Sequence, residues 1–501
     1  MFGIEIHEDV WSQIASALSY NSEQPMIFSS GIFLLLFCCF ITIYSALQKR
    51  DTLRILYVIA FSLYFYYKSS GIYLLLLIFS AVSDFLIGRS LSRSSSQVAR
   101  KWLVALSVTI NLGMLGYFKY TNFFIQIASG IVGEGFLEFQ NIFLPVGISF
   151  FVFQSMSYTI DIYRGKIKPL EHFPDYLFYL SFFPQLVAGP IVRAKDFLPQ
   201  IRKPLHLTRE MMGTAVFLFA TGLFKKAIIS DYISLNFVDR VFDQPILYSG
   251  FEALMAIYGY ALQIYCDFSG YSDMAIGLAL VLGFKFPKNF DAPYKSATIT
   301  EFWRRWHISL SSWLRDYLYI SLGGNRKGKA RTYVNLLITM VLGGLWHGAA
   351  VRFVLWGALH GSALALHKMW MSLVPEAKAN GSEMSFFGRL AGVLLTFNLV
   401  CFGWLLFRAD SMECVGMMLH QIFYNFNLAI APQFVSGYMV VVGMIVAGYL
   451  LHFLPSRLNG LCRRGLIRGG FFVQLTVLVA MIWFVMQMQS SEIQPFIYFQ
   501  F

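Results

Sequence analysis

Charge is scarce in this chain. Asp, Glu, Lys and Arg make up 13% of its 501 residues, against about 25% in an ordinary soluble domain. With 57% of the residues hydrophobic, there is too little polar surface to cover a single water-soluble core. Cysteine is sparse as well: the six show no metal-type spacing, and Cys38, Cys39, Cys266 and Cys401 lie in or beside apolar runs, where they read as small buried hydrophobes. A Walker loop and a Ser-His-Asp motif are missing, and the apolar runs do not alternate as barrel strands do. Nor is there a cleavable signal, because the amino-terminal residues are acidic and the first apolar run is long enough to stay as an anchor.

What the chain has instead is long apolar runs. Residues 28 to 47, 71 to 88, 211 to 229, 385 to 407 and 470 to 488 are each able to cross a hydrocarbon core of ~30 Å, and about eleven such spans can be counted. Backbone amides in lipid need internal partners, so continuous runs predict helices and an all-α integral membrane protein. The expected organisation is an acidic leader, 1–25, followed by one polytopic domain, 26–501. The net charge of +12 does not mark a nucleic-acid binder, because Lys and Arg gather in short loops: QKRDTLR (48 to 54), GRSLSRSSSQVARK (88 to 101), YRGKIK (163 to 168), GGNRKGKAR (323 to 331) and RLNGLCRRGLIR (457 to 468). Such loops mark the cytoplasmic side. The first 25 residues carry four acids, Glu5, Glu8, Asp9 and Glu23, and no Lys or Arg, so the amino terminus is expected to be extracytoplasmic.

Two regions break the pattern. In DYLFYLSFFPQLVAGPIVR (175 to 193), Pro184 and Pro190 interrupt an otherwise span-like run. A re-entrant hairpin there keeps the following basic stretch, 193 to 203, on the cytoplasmic side, and irregular backbone at that depth must be buried in protein or line a cavity. In the second region, 286 to 329, Thr298 and Glu301 form a capping box that predicts a helix to about Tyr319. Arg304, His307, Ser311 and Arg315 then fall on one stripe. That stripe suits a polar face turned to a cavity; an interfacial helix whose arginines meet lipid phosphates suits it as well. A similar stripe, Gln154, Ser157, Tyr158 and Asp161, is explained equally by a substrate path or by interhelical hydrogen bonds.

GGLWHGAA (343 to 350) places His347 between two apolar runs. An imidazole there is either a packing residue flanked by glycines at a close helix contact or a functional group, the default for an ionisable side chain deep in a membrane. A second histidine in a polar segment, His307, favours a shared site. Packing is the favoured role for His360, interface positions are expected for His367, His420 and His452, and Asp84 is a candidate for a polar vestibule. Asp267 and Asp273 fall on different faces of one helix, against a shared metal site. Without metal ligands or a nucleophile motif, the chemistry that suits a buried imidazole is acyl transfer from a thioester to a hydroxyl. A base takes the hydroxyl proton, the donor is already activated, and no further cofactor is needed.

These blocks resemble the membrane-bound O-acyltransferases, in particular the bacterial alginate O-acetylation type. The likeness lies in MIFSSGIFLLLF (26 to 37), LPVGISFFVFQSMSYTIDIYRG (144 to 165), FFPQLVAGPIVR (182 to 193), 267 to 294, EFWRRWHISLSSWLRDYLYISLGGNRKG (301 to 328) and LGGLWHGAAVRFVLWGALHG (342 to 361). It runs from Met26 to about Lys368, with core motifs over 142–368. The resemblance implies a ring of about eleven or more transmembrane helices with re-entrant and amphipathic helices around a central channel. It implies His347 as the catalytic residue and His307 as the second characteristic polar position. It further implies a cytoplasmic acyl-thioester donor such as acetyl-CoA, an extracytoplasmic polysaccharide acceptor, and a secreted or membrane-anchored acetyltransferase partner. Arg304, Arg305, Ser311, Arg315, Gln154, Tyr158 and Asp267 are the candidate substrate-binding residues. The D-alanyl transfer proteins of teichoic acid systems share the histidine blocks, but GGNRKGKAR is closer to the alginate type. The leader before MIFSS departs from the usual start. Two other functions stay open on the residues alone: a transporter or flippase for a glycan or lipid-linked substrate, and a subunit that only hands the acyl group to its partner.

Overall fold

The computed structural model describes residues 8–21, 25–133, 137–374 and 385–488; Glu5 and Glu23 of the acidic leader lie outside them. Every regular element among the described residues is a helix. Among the described residues, five helical stretches are long and apolar enough to cross a membrane: Asp51–Arg93, Gln97–Val132, Arg209–Asp243, Phe386–Arg408 and Ser456–Met488. A pair bent by 98°, Leu428–Gly437 and Met439–Phe453, makes a sixth if counted as one span. Fewer runs qualify than the expected count because several are cut short or broken. Residues 28 to 47, for example, yield a helix of only 16 residues, Gly31–Ala46. Large side chains such as Leu35, Phe387, Leu395 and Phe472 stand exposed on these helices, as surfaces that face lipid do. The same apolar outer face explains why Cys38 and Cys39 are exposed rather than buried, whereas Cys266 and Cys401 are buried as expected.

Two compact units are distinguished. The first comprises the described residues up to Thr208 together with Leu278–Phe286; the second comprises Arg209–Gly277 and the described residues from Pro287 on. In the first unit the described part of the leader forms the helix Glu8–Leu18, whose last carbonyls accept hydrogen bonds from Tyr64 and Lys68. Asp84 does not line a vestibule. It is fully buried and accepts hydrogen bonds from Ser107 (2.6 Å), Asn111 (2.7 Å) and Ser155, so it ties three helices together. The broken segment folds as two short helices, Phe173–Ser181 and Phe183–Leu186, with Pro184 in the first turn of the second. Its residues from 178 to 192 are buried throughout, one of the two settings, with a cavity lining, in which such backbone is stable at depth.

Asp267 and Asp273 of the second unit lie on helix Gly250–Val281. Each acid takes its own lysine: Lys226 reaches Asp267 (2.6 Å) and also Asp231 (2.8 Å), while Lys225 pairs with Asp273. The helix that ends in His347, Lys329–His347, packs along Val351–Leu373. Close approach depends on glycine: a Cβ on Gly344 would lie 2.1 Å from the Phe353 carbonyl, and one on Gly357 would lie 2.4 Å from that of Met340.

Candidate functional site

His347 is the last residue of its helix, followed by extended backbone at Gly348. Its ring is 3% exposed and is enclosed by Trp346 (4.9 Å between centroids), Trp356 (5.1 Å) and Phe407 (5.2 Å), all edge-on. Trp346 neighbours both histidines of interest, with His307 6.2 Å away. His307 is also fully buried, against Phe268 (4.5 Å) and Phe290 (6.2 Å).

The segment that carries His307 is not the single helix expected to reach Tyr319. Helix Ile299–Arg305 is capped as predicted, with the Thr298 hydroxyl accepting from Glu301 N at 3.1 Å. It stops at Trp306, His307 adopts φ 41°, and a second helix, Ile308–Trp313, runs into a π-helical turn, Leu314–Tyr319. Asn289 supplies the reason. Its carbonyl accepts Ile308 N (2.9 Å), and its side-chain oxygen accepts Ser309 N (3.2 Å) and the Ser309 hydroxyl (2.9 Å), so the new helix is capped from a distant loop. A positive φ at a non-glycine residue is strained by roughly 1 to 3 kcal/mol and persists where surrounding bonds hold it.

The break separates residues that a continuous helix aligns. Arg304, Ser311 and Arg315 line a pocket of about 660 Å³ together with Thr300, Trp303 and Thr339, and helix Val351–Leu373 closes it with His367 and Lys368. His307 turns into the core instead. The pocket rim is basic, with Arg304, Arg315 and Lys368, although Arg315 shares its charge with Asp316 (2.7 and 3.2 Å). Thr300 Oγ1 and His367 Nδ1 are 2.8 Å apart, and Lys368 donates to Asn325 (2.8 Å). Arg305 is not among the lining residues; it pairs with Glu301 (2.9 Å) and donates to the Asp291 carbonyl (3.1 Å). On that supporting loop, the hydrogen bond donated by Lys288 holds the Asp291 carboxyl below the usual carboxylate range. Asp267 is engaged by Lys226, as described above. Gln154 and Tyr158 belong to the first unit. Neither side-chain atom of Gln154 has a hydrogen-bond partner among the described residues, and the Tyr158 hydroxyl accepts from Leu170 N (3.0 Å).

Among the pocket residues that the sequence reading did not place in a site are Trp303 and Lys368, and His367, expected at an interface, lines the pocket as well. The signal was present in part, since Leu364, His367, Lys368 and Met371 follow one another at i, i+3, i+4, i+7 along the helix and all line the pocket. Of the remaining histidines, His420 is exposed, whereas His452 is buried with Nε2 accepting from Tyr294 N (3.1 Å), because the loop around Tyr294 folds over it.

The model of the membrane-bound O-acyltransferase family matches residues 163–384. The probable alginate O-acetylase of Pseudomonas syringae pv. tomato is 40% identical over 404 residues, 79% of this chain and 75% of that protein. This chain belongs to the membrane-bound O-acyltransferase family. Its similarity extends over whole chains: the probable alginate O-acetylase of Pseudomonas putida is 35% identical across 95% of this chain and 100% of its own length. The peptidoglycan O-acetyltransferase of Helicobacter pylori is 34% identical, covering 80% of each chain. The matched family region contains both histidines and the pocket.

Proposed function

We propose that this acyltransferase moves an acetyl group from a cytoplasmic thioester, acetyl-CoA being the simplest donor, toward a hydroxyl of an extracytoplasmic polysaccharide. The observation that carries the reading is His347, an imidazole enclosed by Trp346, Trp356 and Phe407 and linked through Trp356 and Trp303 to a pocket with a basic rim. Family membership and relatives that act on alginate and peptidoglycan support it. In this scheme His347 takes the acceptor hydroxyl proton as the new C–O bond forms. The C–S bond then breaks, and the proton ends on the departing thiolate. The aromatic enclosure excludes water, which would otherwise compete as acceptor. His307, which also neighbours Trp346, polarises the thioester or positions the hydroxyl. Arg304, Arg315 and Lys368 attract the donor's phosphates.

The wider reading is a bacterial inner-membrane protein with an extracytoplasmic amino terminus and a ring of about eleven helices around a central channel, working with a secreted or membrane-anchored acetyltransferase. The test is His347→Ala in cells where the protein inserts at its normal level, with acetyl groups on the product polymer as the readout. A positioned base is worth about 10² to 10⁴ in rate, so acetylation should fall to background. Unchanged acetylation removes His347 from the mechanism. Release of free thiol from acetyl-CoA by the purified protein distinguishes an enzyme from a conduit that moves substrate without consuming thioester.

A further inference from the structure

Behind Trp303, one wall of the basic-rimmed pocket, stands a group of polar ring atoms with nothing to bond to. His360 is fully buried in helix Val351–Leu373, and neither of its ring nitrogens has a hydrogen-bond partner among the described residues. The same holds for the indole nitrogens of Trp303 and Trp356. The three rings touch: Trp303 is 5.3 Å from His360 and 5.7 Å from Trp356, and Trp356 is 4.6 Å from His360. Trp356 also packs edge-on against His347. The group therefore forms a continuous row from the pocket to the candidate base.

An unmet buried donor or acceptor costs about 1 to 3 kcal/mol, so a cluster of them calls for an explanation. Aromatic packing is not enough, since neighbouring Trp404 satisfies its own indole N–H on the Tyr294 hydroxyl at 3.2 Å. The fold also makes room for His360. It lies against Gly403, where a Cβ would stand 2.8 Å from Nε2. Apolar packing among Phe302, Trp303 and Trp356 does not by itself call for an imidazole.

We infer that Trp303, Trp356 and His360 form a hydrogen-bonding subsite for an amide group on the arm of the bound thioester donor. This rests on the acyltransferase reading above and names the part of the donor that the pocket recognises. Indole N–H groups donate to an amide carbonyl, and a neutral imidazole accepts from an amide N–H. With donor phosphate at Arg304, Arg315 and Lys368, an arm passing Trp303 leads its thioester end along Trp356 toward His347. The Trp303 indole N–H has no hydrogen bond among the described residues, so no existing bond has to break before it meets a ligand acceptor.

The experiment compares two acetyl thioesters in thiol-release assays on the purified full-length protein: acetyl-CoA, whose arm carries amides, and S-acetyl-2-mercaptoethanol, which has none. His360→Phe and Trp303→Phe should each lower kcat/KM for acetyl-CoA by about tenfold, the worth of one buried hydrogen bond. Each variant should lose several-fold less on the short thioester, which has no amide to bond. His360→Phe should melt no lower than the wild type, because it removes an unmet polar group from an apolar setting. Equal losses with both thioesters, or no loss with either, overturn the subsite. If the wild type releases thiol from neither donor, the enzymatic reading falls and the subsite with it.

Discussion

At the scale of single residues, the second unit is governed by what sits opposite its glycines. A Cβ on Gly403 meets a side chain, the His360 imidazole, whereas a Cβ on Gly344 meets backbone, the Phe353 carbonyl at 2.1 Å. The two positions should therefore respond differently to alanine. Gly403→Ala is expected to destabilise the protein by about 1 to 3 kcal/mol, the usual penalty for overpacking. His360→Ala in the same chain should restore much of that, since the ring that was struck is gone. Thermal unfolding in detergent of the two single variants and the double variant measures the coupling; strictly additive losses would contradict the contact. For Gly344→Ala no side-chain truncation relieves the clash, so the pair of helices must separate, and the folded yield should fall more sharply than for Gly403→Ala. What local sequence reveals at this scale is uneven. Arg304, Ser311 and Arg315 were readable as a stripe and do share the pocket. Arg305 was grouped with them, although Glu301 stands four residues before it and claims it, a pairing that helix spacing alone makes legible. The partner of Asp267 was not legible, because Lys226 reaches it from another helix.

At the scale of elements, the informative case is the segment after Thr298. Its start was legible because a capping box is written in adjacent residues; its interruption was not, because Asn289, the group that captures the amides of Ile308 and Ser309, comes from a loop outside the helix. Asn289 in turn donates to Ser272 at 3.1 Å, which ties the cap to helix Gly250–Val281. Asn289→Ala leaves the Ser309 amide and hydroxyl without their acceptor, at a cost of about 1 to 3 kcal/mol, and frees His307 to relax from its positive φ. Activity should drop along with stability. Asn289→Asp keeps the acceptor oxygen and should retain more of both. Thiol release from acetyl-CoA, measured beside the melting temperature, tests the pair; an Asp variant as impaired as the Ala variant would show that the acceptor is not what matters. The cap at the other end is separable: Thr298→Ala should cost ~1 kcal/mol without disturbing the break at His307.

At the scale of the whole molecule, two signals were combined in the sequence, apolar length and the sign of the loops. Apolar length was readable where a run continues as one helix, as in Phe386–Arg408. It misleads where a run is bent or cut, because a break in the helix leaves hydropathy unchanged. Loop charge does not depend on counting spans, so it carries the orientation argument independently. On the basic loops around residues 88 to 101 and 323 to 331, set against an amino-terminal segment with no Lys or Arg, rests the proposal that both loops are cytoplasmic. The check is chemical. In a chain whose native cysteines are replaced, a single cysteine introduced as Ser95→Cys or Lys327→Cys should react with a membrane-impermeant maleimide only after permeabilisation. One introduced as Asn21→Cys should react in intact spheroplasts. The two loops must also agree with each other, because an odd number of crossings between residues 95 and 327 would put them on opposite faces. Labelling of one but not the other before permeabilisation would overturn the orientation and, with it, the cytoplasmic approach of the donor to Arg304, Arg315 and Lys368.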